Sequence, residues 1–251
     1  MARSYDLFAS MLPEIRALPQ CRSLLKEDLL TDRFLLHRET YRGGALEIYY
    51  APLEYVNEEA KVVLIGVSPG WKQMETAYRT ARYCLEAGQP AEEVLRHVSA
   101  DAGVMGPARA NLVMMLDGIG LHEALDIRSC SQLFRDRAGL ALTTFAVKYP
   151  VFVRGRDYPG HSPDVLEHPV LKKCLFNGLS EGLRAARDAL LVPLGKSAAR
   201  ALQRLACEGY IGRERCLPGF PHPSGANGIR VRQYDLRREE LARGIRGWFG
   251  K

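Results

Sequence analysis

The stretch Lys61-Val62-Val63-Leu64-Ile65-Gly66-Val67-Ser68-Pro69-Gly70 decides the fold of this chain. Its first seven residues are nearly continuously apolar and rich in β-branched side chains, which is typical of a strand buried on both faces of a parallel sheet. The Ser-Pro-Gly that follows favours a loop, because proline cannot donate a ladder hydrogen bond and glycine tolerates tight turns. The sequence therefore predicts a central strand that runs directly into a loop.

Two further apolar runs, Leu140–Val147 and Ala189–Leu194, have the same character and are predicted to be parallel strands. Segments with helical periodicity alternate with these strands. They are Gln73–Gly88, Ala108–Gly118, Val165 to the turn before Leu190, and Ser197–Cys207. This alternation indicates a doubly wound α/β protein, a three-layer α/β/α arrangement around a mostly parallel sheet of about four strands.

The N-terminal region is predicted to be a helical extension over residues 1 to about 44. Within it, residues 5–36 have helical character, with interruptions expected at Pro13 and Pro19. The segment Leu46–Tyr50 is a candidate edge strand, and Arg154–Pro163 is predicted to be a long turn-rich loop. The 251 residues show no break in composition, so we expect a single domain, residues 1–251.

The charge balance favours a polyanionic partner. Lys and Arg total 35 against 29 Asp and Glu, a formal net charge of +6. The first residues, Met1–Asp6, lack the apolar core of a signal peptide, and no apolar run has the length of a membrane span. We therefore expect a cytoplasmic protein with no membrane partner.

The six cysteines, at positions 21, 84, 130, 174, 207 and 216, include no closely spaced pair. A zinc ribbon needs such pairs, so the sequence does not support a zinc site. We expect reduced and mostly buried thiols.

Two loops carry the functional signal. The first is Gly66–Gly70, and the second is His222-Pro223-Ser224-Gly225-Ala226-Asn227 near the end of the chain. In an open α/β sheet, ligands bind outside the carboxyl ends of the strands, which is where a loop that follows a strand would lie.

Together these loops resemble the two active-site loops of the uracil-DNA glycosylase superfamily. In that family a G-x-(N/D/E/A)-P-(G/Y/A) loop follows the first core strand and an H-P-S loop follows the last. The resemblance covers about Lys61 to Arg232 and implies a monofunctional DNA glycosylase without metal or cofactor. Such an enzyme flips a base from DNA into a pocket between the loops and hydrolyses its N-glycosidic bond to leave an abasic site. The cysteine spacing does not match the branches of the family that carry an iron–sulfur cluster.

The resemblance also implies roles for individual residues. His222 would donate a hydrogen bond to the departing base, and Ser68 stands where the family carries a water-positioning Asn or Asp. The base would lie against Gly66, Val67, Pro69, Gly70, Thr144, Phe145 and Asn227. The expected DNA contacts are Ser224, Gly225, Lys196, Ser197, Arg230, Arg232 and Lys148.

The chain departs from the family pattern at two positions. Ser68 is a poor base compared with a carboxylate. The segment Leu142–Pro150 resembles a family strand that reads I-T-N-x-V-K. In the simplest alignment, Phe145 replaces the Asn that recognises the pyrimidine in that strand. Phe145 is then either a core residue or a stacking platform.

Gly70 stands where uracil-specific members of the family carry a Tyr that rejects 5-substituted pyrimidines. The glycine therefore predicts room for a bulkier base. The substrate is accordingly uracil or a modified pyrimidine, in DNA repair or, with hypermodified phage bases, in anti-phage defence.

Several alternatives remain open. Glu75 and Asp157 are either water activators or ordinary surface or capping carboxylates. A glycosylase-fold protein that binds DNA without catalysis is the main alternative function. A serine esterase with Ser68, Asp157 and His222 is a remote one, because Pro69 lacks the N–H that an oxyanion hole needs at that position. The DNA is single- or double-stranded, and we expect a monomer.

Overall fold

A computed structural model describes residues 5–20 and 23–250. The chain forms two compact units, each assembled from three separate stretches. The antiparallel unit contains the residues up to Tyr55, Ser68–Gly103 and Val147–Pro159. The parallel unit contains Val56–Val67, Val104–Ala146 and the residues from Gly160 onward.

The antiparallel unit is built on a four-stranded sheet with strand order β1-β2-β5-β6. The two members of each neighbouring pair run antiparallel. Its elements are α1 (Asp6–Arg16), α2 (Lys26–Leu29), β1 (Leu35–Tyr41), β2 (Gly44–Tyr49), α3 (Trp71–Glu86), α4 (Ala91–Ala102), β5 (Val151–Val153) and β6 (Arg156–Asp157).

The parallel unit is built on a three-stranded parallel sheet with strand order β4-β3-β7. Its elements are β3 (Val62–Gly66), α5 (Gly106–Asp117), α6 (Leu121–Ala124), β4 (Ala141–Phe145), α7 (Pro169–Cys174), α8 (Ser180–Ala185), β7 (Leu190–Pro193), α9 (Lys196–Cys207) and α10 (Arg230–Phe249). Leu175–Leu179 forms a π-helical turn, and three 3₁₀ turns cover Cys130–Phe134, Ala138–Leu140 and Arg213–Arg215.

The three predicted parallel strands are confirmed, and so is the α/β class. All five residues of β3 are buried, which explains its unbroken apolar sequence. Apolar side chains from β3, β7, α5 and α10 form the core of this unit, among them Leu64, Leu112, Val192 and Leu241. The guanidinium of the buried Arg215 donates to the carbonyl oxygens of Leu183, Ala186 and Ala189, and so satisfies backbone groups just before β7.

The expectation of about four strands in the parallel sheet is corrected. The fourth candidate, Leu46–Tyr50, corresponds to β2, which pairs with β1 on one side and β5 on the other and is therefore not an edge strand. The reason is local: Arg42 and Gly43 both have positive φ, +47° and +74°. Two consecutive positive values define a type I′ hairpin turn, which returns the chain antiparallel to β1.

The predicted N-terminal helical extension is also too long. Helix α1 runs through Pro13 to Arg16, so this proline does not interrupt it, and the chain is extended in β1. The residues of β1 alternate between partly buried and exposed, the period of a strand. The predicted loop at Arg154–Pro163 likewise includes β6, because Arg154 and Gly155 form a second turn with positive φ.

Within the described part of the chain, no helix is long and apolar enough to cross a membrane. The five cysteines there are free thiols, of which Cys84 and Cys130 are buried and Cys207 is exposed. Cys21 lies outside the described residues.

Candidate functional site

In the parallel unit, the predicted site residues Gly66 and Phe145 pair at the carboxyl ends of β3 and β4. A Cβ atom built on Gly66 would lie 2.8 Å from the Phe145 ring, so only glycine fits beneath that ring. Phe145 is 5% exposed. Of the two roles left open for Phe145, this packing favours the core residue.

The His222 loop is attached to the carboxyl end of β7. The N–H of Gly195, just beyond β7, donates to the carbonyl of Phe220 at 3.1 Å. Gly195 has φ of +91°, and a Cβ atom on it would lie 2.9 Å from Cβ of His222. The imidazole of His222 thus lies over a bare stretch of backbone at the start of α9.

Hydrogen bonds within the loop fix its conformation. The N–H of Ser224 donates to Nδ1 of His222 at 3.2 Å, and Ser224 Oγ accepts the N–H of Ala226 at 3.2 Å. The amide Nδ2 of Asn227 donates to the carbonyl of His222 at 3.2 Å and to Oε1 of Gln233 at 3.0 Å. Asn227 therefore closes the loop.

Two side chains hold the loop from outside. Nδ2 of Asn111, on α5, donates to the carbonyl of Pro223 at 2.9 Å. Nη1 of Arg230, at the start of α10, donates to the carbonyl of Ser224 at 3.0 Å. Arg230, a predicted DNA contact, is thus part of the support of the loop.

These contacts determine the chemistry that His222 can offer. Because Nδ1 accepts a hydrogen bond, the neutral imidazole carries its proton on Nε2. Desolvation lowers the pKa of His222 from its ordinary value, while the residue as a whole is solvent-exposed. At neutral pH the ring is consequently a neutral donor through Nε2.

A cleft of about 520 Å³ opens beside His222, a size within the range of ligand sites. Its walls come from the β7–α9 connection, the His222 loop and α10. The lining includes Gly195, Lys196, Phe220, His222, Asn227, Gln233, Leu236 and Arg237. The cleft is lined by the imidazole of His222, the side-chain amides of Asn227 and Gln233, and the cationic side chains of Lys196 and Arg237. These groups suit an anionic ligand that also carries hydrogen-bond donors and acceptors.

Replacing Gly195 with alanine should destabilise the protein by about 1–3 kcal/mol, because alanine is strained at positive φ and its Cβ would press on His222. Urea denaturation measures the effect. Gly225→Ala is the control: Gly225 lies in the His222 loop, which Gly195 contacts, and a Cβ there meets nothing within 4 Å. Equal stability of both variants and the parent protein would contradict this account of Gly195.

In the antiparallel unit, the hydroxyl of Ser68 is engaged by backbone groups. Its Oγ accepts the N–H of Val151 at 3.2 Å and lies within donating distance of the carbonyls of Tyr149 (3.3 Å) and Pro69 (3.2 Å). This arrangement ties the segment after β3 to the start of β5. Ser68 has a structural role that the sequence did not predict.

The space beside Gly70 is filled. A Cβ atom on Gly70 would lie 2.6 Å from Oδ2 of Asp157, whose Oδ1 accepts the N–H of Trp71 at 3.0 Å. Asp157 thus caps helix α3, which favours the capping alternative for this carboxylate. The room that the sequence assigned to a bulkier base is, in this unit, taken by a carboxylate.

Glu75 and Lys148, also in the antiparallel unit, lie near opposite charges. Glu75 accepts from Nε of Arg79 at 3.0 Å, the geometry of an ordinary helical ion pair. Lys148 is close enough to Glu54 to lower the pKa of that carboxyl, although burial raises it by more. Lys148, a predicted DNA contact, therefore has a carboxylate neighbour.

The remaining predicted residues lie in the parallel unit. Thr144 is partly buried on β4. Val67 lies next to Gly160: its Cγ2 atom is 3.4 Å from the position that a Cβ atom on Gly160 would take. Lys196 and Ser197 begin α9. Lys196, Gly225 and Arg232 are solvent-exposed, as DNA contacts require.

The antiparallel unit has a larger cavity of about 820 Å³, lined by residues of α3 and α4. Its polar side chains bond one another: Thr80 Oγ1 donates to Asp101 at 2.9 Å, and Nδ1 of His97 lies 2.9 Å from Gln89 Oε1. Over the described ranges, no group of three or more His, Cys, Asp or Glu side chains is arranged to hold a metal ion.

Sequence reasoning missed several residues of the His222 cleft. Gly195 had a usable signal, since a glycine between a buried strand and a helix marks a close approach of backbone. Gln233, Leu236 and Arg237 had none, because they reach the cleft only through the packing of α10. Phe220 lies two residues before His222 in the sequence.

Comparison with known proteins places this α/β chain in a family. It is 40% identical over 228 residues to the uncharacterized protein YoxB of Bacillus subtilis (strain 168), an alignment that covers 90% of this chain and 88% of YoxB. The chain belongs to the family of YoxB. No protein-family model matches the chain, and no solved structure matches it.

Proposed function

We propose that this protein is a DNA glycosylase with a uracil-DNA glycosylase-like fold of three α/β/α layers. It flips a base out of DNA and hydrolyses its N-glycosidic bond, leaving an abasic site. The observation that carries the proposal is the His222 loop: its H-P-S sequence follows the last parallel strand, and Ser224 N–H fixes the imidazole with Nε2 as the donor.

The chemistry of base release explains why such a donor is needed. When the bond between C1′ and the base breaks, its electron pair moves onto the base and makes an oxygen of the pyrimidine negatively charged. A neutral Nε2–H aimed at that oxygen stabilises the charge without competing for a proton beforehand. Lowering of the pKa of His222 by desolvation supports this role, because it keeps the ring neutral.

The charge distribution agrees with a DNA substrate. The chain carries a net charge of +6, and Lys196 and Arg237 line the cleft beside His222. Cations at this position would contact phosphates that flank the extruded nucleotide.

The substrate is uracil or a modified pyrimidine. Gly70 does not leave room for a bulkier base within its own unit, because the Asp157 carboxylate fills the space beside it. Both a repair substrate and a hypermodified phage base are therefore candidates.

A DNA-binding protein without catalysis is the second candidate. Two observations favour this candidate. Backbone groups already engage the Ser68 hydroxyl. A buried phenylalanine, Phe145, stands where the family carries the Asn that recognises the pyrimidine. The esterase alternative gains no support, because Asp157 accepts from a helix N–H and Ser68 bridges backbone groups.

The test uses end-labelled single- and double-stranded oligonucleotides. They carry uracil, hypoxanthine, 5-hydroxymethyluracil, 5-hydroxymethylcytosine or its glucosylated form, and alkali then cleaves any abasic site. We expect strand cleavage at one class of modified position. Tight binding with no cleavage of any substrate would favour the binding protein.

A further inference from the structure

Two amide side chains of the His222 cleft, those of Asn227 and Gln233, have no part in the chemistry described above beyond closing the loop. Both line the cleft, and both are partly exposed. Their hydrogen bonds fix which atom of each amide is a donor and which is an acceptor. The atoms that these bonds leave over determine which edge of a base the cleft can recognise.

The orientation of both amides follows from a backbone group. Nδ2 of Asn227 lies 3.2 Å from the carbonyl oxygen of His222, which can only accept, so the atom at this position must be the nitrogen. The same nitrogen donates to Gln233 at 3.0 Å, so the nearer Gln233 atom must be the acceptor Oε1. Among the described residues, neither Oδ1 of Asn227 nor Nε2 of Gln233 has a hydrogen-bond partner. Both atoms therefore remain for a ligand.

The same two bonds give the order of the groups along the cleft. Asn227 bonds the backbone of His222 on one side and the side chain of Gln233 on the other, so it stands between them. His222 contributes the proton on Nε2, because its Nδ1 accepts the N–H of Ser224. In this order, the cleft offers a donor from His222, an acceptor from Asn227 and a donor from Gln233.

This order complements one class of pyrimidine. Uracil and its 5-substituted forms present O2, N3–H and O4, which are an acceptor, a donor and an acceptor. Cytosine and its 5-substituted forms present O2, an unprotonated N3 and the N4 amino group. With O2 on His222, a cytosine base would set its N3 lone pair against Oδ1 of Asn227 and its amino group against Nε2 of Gln233. Polar groups left unpaired in this way weaken binding.

We propose that Asn227 and Gln233 are the specificity-determining residues of the cleft, and that they select uracil-type bases over cytosine-type bases. This inference rests on the proposed glycosylase function and narrows its substrate to uracil and 5-substituted uracils. The faces of the base ring would lie against apolar surface from Phe220 and Leu236, which also line the cleft.

The test compares the affinities of the protein for two single-stranded oligonucleotides that differ only in the target base, uracil or cytosine. Each carries a 2′-fluoroarabino sugar at that position, because the fluorine opposes the positive charge that builds on the sugar and so prevents base release. We expect the wild type to bind the uracil oligonucleotide about 10- to 100-fold more tightly, as measured by fluorescence anisotropy.

Gln233→Glu tests the donor alone. Glutamate keeps an Oε1 acceptor for Asn227 and replaces the Nε2 donor with an oxygen, so the preference for uracil should disappear while the loop stays closed. The added negative charge lowers the affinity for both oligonucleotides alike, so the ratio of the two affinities isolates base recognition. The matched control is Gln203→Glu: Gln203 is exposed on α9 and does not line the cleft, so this variant should keep the wild-type ratio.

The outcomes separate base recognition from base release. Equal affinities of the wild type for the two oligonucleotides would overturn the assignment of Asn227 and Gln233, even if the protein releases a base. A preference for uracil that Gln233→Glu retains would overturn it as well. A wild-type protein that prefers uracil in this measurement and forms no abasic site from hydrolysable DNA would overturn the glycosylase and leave the recognition of the base standing.

Discussion

Replacing His222 with alanine should reduce single-turnover base release by about 10²- to 10³-fold, the usual effect of removing one donor to a developing anion. The loss arises in the chemical step, because the Nε2–H stabilises charge that exists on the base only as the bond breaks. DNA affinity should change little, since the cationic side chains of the cleft remain. Rates at saturating enzyme and binding by fluorescence anisotropy measure the two effects separately.

The control for this variant is His161→Ala. His161 is an exposed histidine of the same unit and does not line the cleft. It should behave as wild type. If His222→Ala keeps more than about a third of the wild-type rate, against the hundredfold loss expected for a missing donor, the role assigned to His222 is wrong.

Glu54→Gln should make the protein more stable at pH 8 by about 3 kcal/mol, and should change its stability little at pH 4.5 or below. Burial raises the pKa of this carboxyl from 4.5 to about 7, so the folded state holds the proton over a range where the unfolded state has lost it. The free energy of unfolding of the wild type therefore falls as the pH rises from 4.5 to about 7. Above pH 7, ionisation of Glu54 changes this free energy no further.

Glutamine removes this pH dependence because it carries no titratable proton. Urea denaturation of both proteins at a series of pH values gives the comparison directly. The control is Glu47→Gln, which removes a carboxylate of the same unit that accepts from Arg38 Nε at 2.8 Å. A Glu54→Gln variant that is less stable than the wild type at pH 8 would show that the ionised carboxylate is better solvated than its buried position indicates.

The parallel sheet was predictable from the sequence, whereas the antiparallel unit was not. Buried parallel strands need apolar residues on both faces, and β3 and β7 show this directly as short apolar runs. Strand β1 reads Leu35-Leu-His-Arg-Glu-Thr-Tyr41 and is only partly buried, so its pattern resembles the adjoining helical region. The decisive signals were the turns at Arg42-Gly43 and Arg154-Gly155, where an arginine takes a backbone conformation that it rarely adopts.

The part of the candidate site that could be predicted is the part in which one short segment contains both the functional side chain and the hydrogen bonds that orient it. The His222 loop is such a segment, since most of its hydrogen bonds are local. The role of Ser68 depends on Tyr149 and Val151, and the space beside Gly70 depends on Asp157, all more than 80 residues away in the chain. Contacts of that range follow from strand pairing, which the sequence did not reveal for this unit.

The central claim is that this chain releases a base from DNA, and mass spectrometry of the products tests it most directly. The protein is incubated with an oligonucleotide from the panel, and the small molecules and the strand are analysed together. We predict a free base and an abasic strand in equal amounts, with both formed about 10²- to 10³-fold more slowly by His222→Ala. DNA that is bound but recovered at its full mass, with no free base, would contradict it.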